Sequence, residues 1–149
     1  MQPEIKTIET KKLVGMRIKT TIADDKAPVL WRKFMPRHME ISNRAGENFY
    51  SIQSYDHSIP FEKFTPQTEF EKWATVEVSD NENIPDKMEA RTLSGGKYAV
   101  FIHRGLASTF PETWRYIFYS WLPQSDYELD KRDHFEILTP GYRPDDPDA

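Results

Sequence analysis

Glu136 is the ionisable residue whose sequence neighbours are least expected for a carboxylate. It stands between Phe135 and Ile137 in the run His134-Phe135-Glu136-Ile137-Leu138, which its length and alternation predict to be a short strand. Alternation places its side chain on the face shared by His134 and Leu138. Apolar surroundings disfavour the charged form of any carboxyl group unless a cation or hydrogen-bond donors compensate.

Such a carboxylate suits two kinds of chemistry. Glu136 can supply the counter-charge for a cationic ligand, or it can act as a general base. A structural alternative stays open, in which Glu136 is the cross-strand partner of one of the many Lys and Arg residues and contributes about 0.2–1 kcal/mol on an exposed face. Residue spacing alone does not choose between these roles.

Other reaction chemistries lack support in the sequence. The chain has no cysteine, which removes thiolate catalysis and Cys-zinc sites. None of the four histidines pairs at a metal-ligand spacing such as His-x-x-x-His, so neither a metal nor another cofactor is expected. The Gly95-Gly96 pair lies outside any phosphate-loop motif, and the sequence has no Gly-x-Ser-x-Gly elbow of a serine hydrolase.

Aromatic residues are the other feature with a chemical implication. They make up 13% of the chain, as 4 Trp, 7 Tyr and 9 Phe, although the mean hydropathy is only −0.74. So many rings in a small polar chain favour an aromatic-lined cavity. Trp121 falls at the end of a predicted helix, where its ring can pack inward and leave an edge in a cleft. Tyr116 lies off the apolar stripe of that helix and can offer a hydroxyl to a pocket.

Length and charge restrict the class of protein. A chain of 149 residues is predicted to form a single domain, 1–149, with a hydrophobic core of its own. The net charge of −4, with Lys and Arg scattered among Asp and Glu, predicts no direct binding to nucleic acid. The longest apolar run, residues 98–102, is far too short to cross a membrane, and the N-terminus lacks the apolar core of a signal peptide. With no cysteine, we expect a cytoplasmic protein.

Periodicity predicts the elements of the first half, about residues 1–80. Glu4 to Thr21 is predicted to be one strand, and Asp24-Asp25 is predicted to cap a helix that has Pro28 in its first turn. Apolar residues at helical spacing continue to Met35, and Pro36 kinks or ends the regular helix. Two strands are predicted to follow, separated by a loop, and the three segments are 48–55, 69–78 and 57–68.

The second half, about residues 88–149, follows a polar connector at 79–87. Residues 88–104 are predicted to form a strand, or a strand pair bent at Ser94-Gly95-Gly96. Thr109 and Glu112 fit a capping box at the start of a second helix, which Pro123 is predicted to stop. The last predicted strand is His134–Leu138. Each half thus reads strand, helix, strand, and a further strand is visible only in the first half.

Three motifs follow one another in this second half. They are Gly96-Lys97-Tyr98-Ala99-Val100-Phe101-Ile102-His103-Arg104-Gly105, then Glu112-Thr113-Trp114-Arg115-Tyr116-Ile117 with Trp121-Leu122-Pro123, and Asp133-His134-Phe135-Glu136. The ordered set resembles the GyrI-like, AraC-type effector-binding domain family. The first half is similar to the same family at Lys12-Leu13-Val14-Gly15-Met16-Arg17, Leu30-Trp31-Arg32-Lys33-Phe34 and Trp73-Ala74-Thr75-Val76-Glu77-Val78.

The resemblance implies an α+β fold of two strand-helix-strand-strand repeats around a pseudo-twofold axis. In that fold an antiparallel sheet is backed by helices, and a cleft between the halves takes the ligand. Members of the family bind bulky, often cationic or polycyclic aromatic compounds there. The family's key glutamate matches Glu136, and its pocket tryptophan matches Trp121. The other candidate walls, taken from elements that should border the cleft, are Phe34, Tyr50, Trp73, Phe101 and Tyr116.

Two departures from the family pattern bear on function. The chain has no room for the helix-turn-helix domain to which many members are fused, so we expect a stand-alone effector- and drug-binding module related to transcription regulators. The final strand usual in the family has no counterpart before Ala149. Its absence would leave an exposed sheet edge, which favours a homodimer or another cover for that edge.

The leading hypothesis is therefore a protein that binds small molecules without converting them. Some relatives hydrolyse strained electrophilic compounds, so a first alternative is a hydrolase in which Glu136 is catalytic and activates water. A second alternative is a protein-binding inhibitor, as the gyrase inhibitor that gives the family its name suggests.

Overall fold

Short strands and helices make up the computed structural model, which describes residues 2–148. Within that range the strands are β1 (Glu4–Ile8), β2 (Lys11–Thr20), β3 (Arg44–Ser54), β4 (Phe70–Val78), β5 (Glu89–Leu93), β6 (Gly96–Val100) and β7 (His134–Leu138). The α-helices are α1 (Ala27–Phe34), α2 (Phe110–Arg115) and α3 (Leu122–Gln124), joined by the 3₁₀ helices Met35–Glu40, Phe61–Lys63 and Ala107–Thr109 and the π-helix Tyr116–Trp121. The fold class is α+β, as predicted. Of the helices formed by residues 2–148, none combines the length and apolar character that crossing a membrane requires.

The chain divides into two compact units. The first, which we call the sheet unit, comprises residues 9–96 and 132–140 and contains β2 to β5, α1 and β7. The second, which we call the helical unit, comprises residues 2–8, 97–131 and 141–148. It contains α2, the π-helix and α3, together with β1 and residues 97–100 of its partner strand β6.

A five-stranded antiparallel sheet forms the body of the sheet unit, in the order β5-β2-β4-β3-β7. Ser51 of β3 stands opposite Ala74 of β4 on one side and Glu136 of β7 on the other. Because side chains alternate along each strand, this register places the three on the same face of the sheet. Trp73 and Phe135, one position earlier in their strands, lie on the opposite face.

Helix α1 covers the face that carries Ala74 and closes the main core. Leu30 and Phe34, four residues apart on α1, are buried at 2% and 0% exposure. Burial of each such side chain contributes roughly 1.5–3 kcal/mol. The buried members of this core are Val14, Leu30, Phe34, Ile41, Ala74, Val76, Val78 and Met88. The opposite face carries a second buried cluster of Leu13, Tyr50, Ile52, Trp73 and Leu93, with Phe135 packed against it.

The start of α1 differs from the predicted cap. The N-cap residue is Lys26, which makes no side-chain cap hydrogen bond, and Asp25 Oδ1 accepts the Ala27 N–H at 2.9 Å from one position earlier. Pro28 lies in the first turn, as predicted. Pro36 ends the regular α-helix, also as predicted, and the chain continues as a 3₁₀ helix because the fixed φ of proline is compatible with it.

The prediction of one strand from Glu4 to Thr21 is wrong, since this segment forms β1 and β2 in different sheets. For residues 88–104 the strand pair is confirmed, as β5 and β6, again in different sheets. Gly96, which begins β6, has a φ of +143°, a conformation that residues with a Cβ rarely adopt. Thr10 Oγ1 accepts the Gly95 N–H at 3.0 Å, so the two chain breaks are joined to each other.

The capping box predicted for α2 is also wrong. Thr109 is the N-cap residue, but its hydroxyl donates to the Leu106 carbonyl at 2.7 Å and makes no cap hydrogen bond. The cause is the 3₁₀ turn Ala107–Thr109, which holds Thr109 at φ −92° and ψ −6° and directs its side chain backwards. Pro123 does not stop the helix, because its ring lies in the first turn of α3, which ends at Gln124.

Gly15 of β2 tests how closely β2 and β4 pack. A Cβ added there would overlap the backbone carbonyl of Ala74, so Gly15→Ala must displace one strand from the other. We expect this substitution to lower the free energy of unfolding by about 1–3 kcal/mol, seen as a lower urea midpoint. Lys12→Ala, at an exposed position of the same strand, is the matched control and should change it by less than about 0.5 kcal/mol. Equal midpoints for Gly15→Ala and wild type would contradict the close approach of the two strands.

Candidate functional site

Glu136 receives a hydrogen bond and an ionic contact on the same oxygen. Gln53 Nε2 donates to Glu136 Oε1 at 2.7 Å, and Lys72 Nζ lies 3.7 Å from that oxygen. The register of β3, β4 and β7 places all three side chains on the face of the sheet that carries Ala74. Lys72 and Gln53 are therefore the cation and the donor that a carboxylate in apolar surroundings requires.

The other carboxylate oxygen of Glu136 is open to a ligand. Within the part of the chain that the structure describes, no donor lies within hydrogen-bond distance of Oε2. The Glu136 side chain is 32% exposed, so solvent and solutes can reach it. A carboxylate oxygen in this state can accept a hydrogen bond or face a cation. The cross-strand role considered from the sequence thus accounts for one oxygen of Glu136 and leaves the other.

Aromatic rings gather near Glu136 on the connection between β3 and β4. The ring of Tyr55 lies 5.0 Å from that of His134, 5.3 Å from Phe70, 5.4 Å from Phe64 and 6.3 Å from Phe61. We call these five residues the connection cluster. The sequence predicts only a loop over most of this segment and gives the rings no role. The signal that could have found them is the Phe-x-x-Phe spacing of Phe61 and Phe64 around a helical turn.

Burial changes the acid-base behaviour of two residues of the connection cluster. It lowers the pKa of His134 to about 4, against a smaller opposing effect of the Asp133 charge. Burial also raises the pKa of Tyr55, and the negative charge of Glu136 raises it further. Both side chains are therefore neutral at pH 7. In residues 2–148, no group of three or more His, Asp or Glu side chains is arranged to hold a metal ion.

The helical unit contains a cavity of about 230 Å³. Its lining consists of Gln2, Tyr116, Ser120, Trp121, Gln124 and Ser125. A cavity of roughly 150 Å³ can hold a benzene ring, so this one has room for an aromatic group. Phe101 meets Trp121 edge-on at 5.2 Å between ring centroids, and Tyr127 stacks on Trp121 at 6.1 Å. We call this cavity, with Phe101 behind it, the Trp121 pocket.

A π-helix brings the two predicted ring residues of this pocket together. In an α-helix, Tyr116 and Trp121 would point about 140° apart, because residues five apart exceed one turn by a large angle. The segment Tyr116–Trp121 is instead π-helical, and its wider turn returns residues five apart to the same side. Ser120 then falls between the rings on that side. The structure thus brings together three of the predicted site residues, Phe101, Tyr116 and Trp121.

The other three predicted wall residues lie elsewhere. Phe34 is fully buried in the main core under the sheet, at 0% exposure. Tyr50 and Trp73 are 5% and 3% exposed and belong to the second buried cluster. Strand register places both on the face opposite Glu136. The structure does not bring these three rings together with the Glu136 carboxylate.

Trp73 contacts two arginines that are themselves paired. The guanidinium carbons of Arg17 and Arg91 lie 5.8 and 5.5 Å from its ring centroid. Arg17 forms an ion pair with Glu71 at 2.5 Å, and Arg91 forms one with Asp133 at 2.8 Å. Because each cation near Trp73 already faces a carboxylate, this part of the sheet presents little uncompensated charge.

The whole chain matches one protein family. The family model described as the GyrI-like small molecule binding domain covers residues 1–149. Among curated proteins, the chain is 29% identical over 139 residues to the transcriptional regulator BrlR of Pseudomonas aeruginosa strain PAO1. That alignment covers 92% of this chain and 48% of the regulator, so the chain spans about half the length of this relative.

Solved structures share the fold at low sequence identity. A putative transcription regulation protein from Staphylococcus aureus MU50 matches with a TM-score of 0.71 and 12% identity, covering 99% of this chain and 92% of that one. SAV2435 bound to tetraphenylphosphonium matches with a TM-score of 0.70 and 13% identity, covering 98% and 87%. An integron cassette protein of Vibrio cholerae matches with a TM-score of 0.62 and 17% identity, covering 92% and 88%. What these proteins share with this chain is the fold.

His134 gives a pH-dependent test of the connection cluster. Its folded-state pKa of about 4 is below its ordinary value of 6.5, so the unfolded chain binds a proton first as the pH falls. The stability that neutral His134 contributes is complete above pH 6.5 and is lost as the pH falls towards 4, by up to about 3 kcal/mol. We therefore expect the free energy of unfolding, from urea titrations across this pH range, to fall more steeply in wild type than in His134→Gln. Parallel pH curves for the two proteins would contradict the burial of a neutral His134.

Proposed function

The chain belongs to the GyrI-like family of small-molecule-binding domains, and from that premise we propose that it binds bulky aromatic small molecules, with a preference for cationic ones. The observation that carries the aromatic part is the Trp121 pocket in the helical unit. The preference for cations is supported by the free oxygen of Glu136 in the sheet unit. Each part has a test of its own.

The Trp121 pocket has the composition that aromatic ligands require. Tyr116 and Trp121 offer ring surfaces, and offset or edge-on contacts between rings contribute about 0.5–1.5 kcal/mol beyond the area they bury. Phe101 and Tyr127 pack against Trp121 and limit the orientations of its ring before any ligand arrives. A ring that is already ordered loses less side-chain entropy on binding, which favours affinity.

Glu136 has the charge that would select cations. Its contact with Lys72 is 3.7 Å long and lacks a hydrogen bond, so the ammonium does not saturate the carboxylate. A ligand cation that reaches Oε2 would therefore gain a charge-assisted contact without displacing Gln53 from Oε1. Because Lys72 partly cancels the negative charge, we expect this preference to be about tenfold in affinity, not several orders of magnitude.

The comparisons supply a probe for both parts. One structural neighbour, SAV2435, is bound to tetraphenylphosphonium. This molecule combines four phenyl rings with one positive charge, which are the two properties proposed for the ligand of this chain. The relation to a transcriptional regulator, of which the chain spans about half, supports a role as the effector-binding part of a regulatory system.

The aromatic part predicts that Trp121→Leu weakens binding of tetraphenylphosphonium at least tenfold, or about 1.4 kcal/mol, in isothermal titration calorimetry. Leucine fills part of the space but removes the ring surface. The matched control is Tyr119→Leu, since Tyr119 belongs to the same π-helix, is 69% exposed and does not line the pocket. Its affinity should stay within twofold of wild type. Equal losses in the two variants would place the binding site outside the Trp121 pocket.

The cationic part predicts that Glu136→Gln weakens binding of tetraphenylphosphonium about tenfold and changes binding of neutral triphenylphosphine oxide less than twofold. Glutamine keeps the size of the side chain and removes its charge, so only an electrostatic role gives this difference between ligands. Glu47→Gln, an exposed carboxylate elsewhere in the sheet unit, is the control for net charge. Unchanged affinity of Glu136→Gln for the cation would disprove the preference and leave the aromatic pocket as proposed.

A further inference from the structure

A small cavity of about 20 Å³ lies on the connection between β3 and β4, within the sheet unit. Its lining includes the rings of Tyr55, Phe61 and Phe64 and the carboxylates of Asp56 and Glu69. We propose that this cavity binds the ammonium head group of a small organic amine. The proposal rests on contacts within one segment of the sheet unit and is independent of the Trp121 pocket.

Three rings form adjoining walls of the cavity at nearly right angles. Phe61 and Phe64 are almost parallel, with planes 11° apart and centroids 6.0 Å apart. The ring of Tyr55 stands across both, at 85° to Phe61 and 90° to Phe64. All three residues are only half-buried, so part of each ring remains accessible to a solute. Aromatic walls set at right angles are the arrangement by which proteins hold ammonium groups through cation–π attraction.

Two carboxylates give the cavity the sign of charge that a cation needs. Asp56 and Glu69 line it, and its described lining contains no Lys, Arg or His. Asp56 is kept in place by Ser58, whose hydroxyl and backbone N–H donate to Oδ1 at 2.7 and 2.9 Å. These hydrogen bonds lower the pKa of Asp56 and keep it ionised at neutral pH. The Glu69 carboxylate is exposed and forms no ion pair or hydrogen bond with any side chain in residues 2–148.

The volume of the cavity sets the size of the group it can take. A single water molecule needs roughly 10–15 Å³ measured in this way. About 20 Å³ therefore admits an ammonium or methylammonium group and excludes an aromatic ring. The simplest structural role for the same rings would be apolar packing that holds the connection on the sheet. Only the amine-binding role predicts discrimination between a charged and a neutral molecule of equal size.

The test is a titration of the full chain with ethylammonium chloride, followed by two-dimensional amide NMR. Ethanol has the same number of heavy atoms and is the neutral comparison, and sodium chloride at equal ionic strength is the salt control. A ligand of this size binds no tighter than about 1 mM, which this method measures well. We expect saturable shifts confined to residues 55–69, upfield shifts of the ethyl protons from the ring currents, and at least fivefold weaker binding of ethanol.

Two variants locate the site, and one variant separates it from the Trp121 pocket. Asp56→Asn keeps an acceptor for Ser58 and removes the charge, and Phe64→Leu removes a ring face, so each should weaken ethylammonium binding at least threefold. Trp121→Leu should leave it unchanged, whatever that variant does to tetraphenylphosphonium. Equal binding of ethanol, identical shifts with sodium chloride, or wild-type affinity in both Asp56→Asn and Phe64→Leu would overturn the proposal.

Discussion

The pairing of β3 with β4 on one side and with β7 on the other determines what each face of the sheet unit can do. Ser51 stands opposite both Ala74 and Glu136, so residues of that parity share the face covered in part by α1. A shift of one residue in β7 would carry Glu136 to the face of Trp73 and expose the apolar residues that now pack. Burial of Phe34 against this face keeps the register in place. The position of the carboxylate is therefore a consequence of core packing.

Charge and aromatic surface are distributed differently over the two units. On the sheet, Arg17 and Arg91 are each paired with carboxylates beside Trp73, and Lys72 partly compensates Glu136. One oxygen of Glu136 is left for recognition. In the helical unit, a π-helical turn collects ring surface at Trp121 without an ionised group in the described lining. Stacking and charge selection are thus produced by two separate pieces of local geometry, which mutation can address one at a time.

Low identity to structures of the same fold fits this division. The structural neighbours share 12–17% of their residues with this chain and still match it with TM-scores of 0.62–0.71. Apolar patterning and strand register determine such a fold, and they tolerate extensive exchange of side chains. Cavity linings are free to diverge while the backbone is retained. The ligand class must therefore be argued from the rings and carboxylates of this chain.

The sequence by itself determined the elements whose signal is local. Alternation gave β7 its observed bounds, His134–Leu138, and gave Glu136 the same face as His134. Apolar spacing and the ordered motifs gave α1 and the family. Only the tertiary structure decided which sheet face each strand parity joins, that a π-turn would unite Tyr116 with Trp121, and that Tyr55 would meet His134 across the sheet. A fixed period of 2 or 3.6 residues describes neighbours along one element, whereas register, altered helical turns and contacts between distant segments depend on how the elements pack.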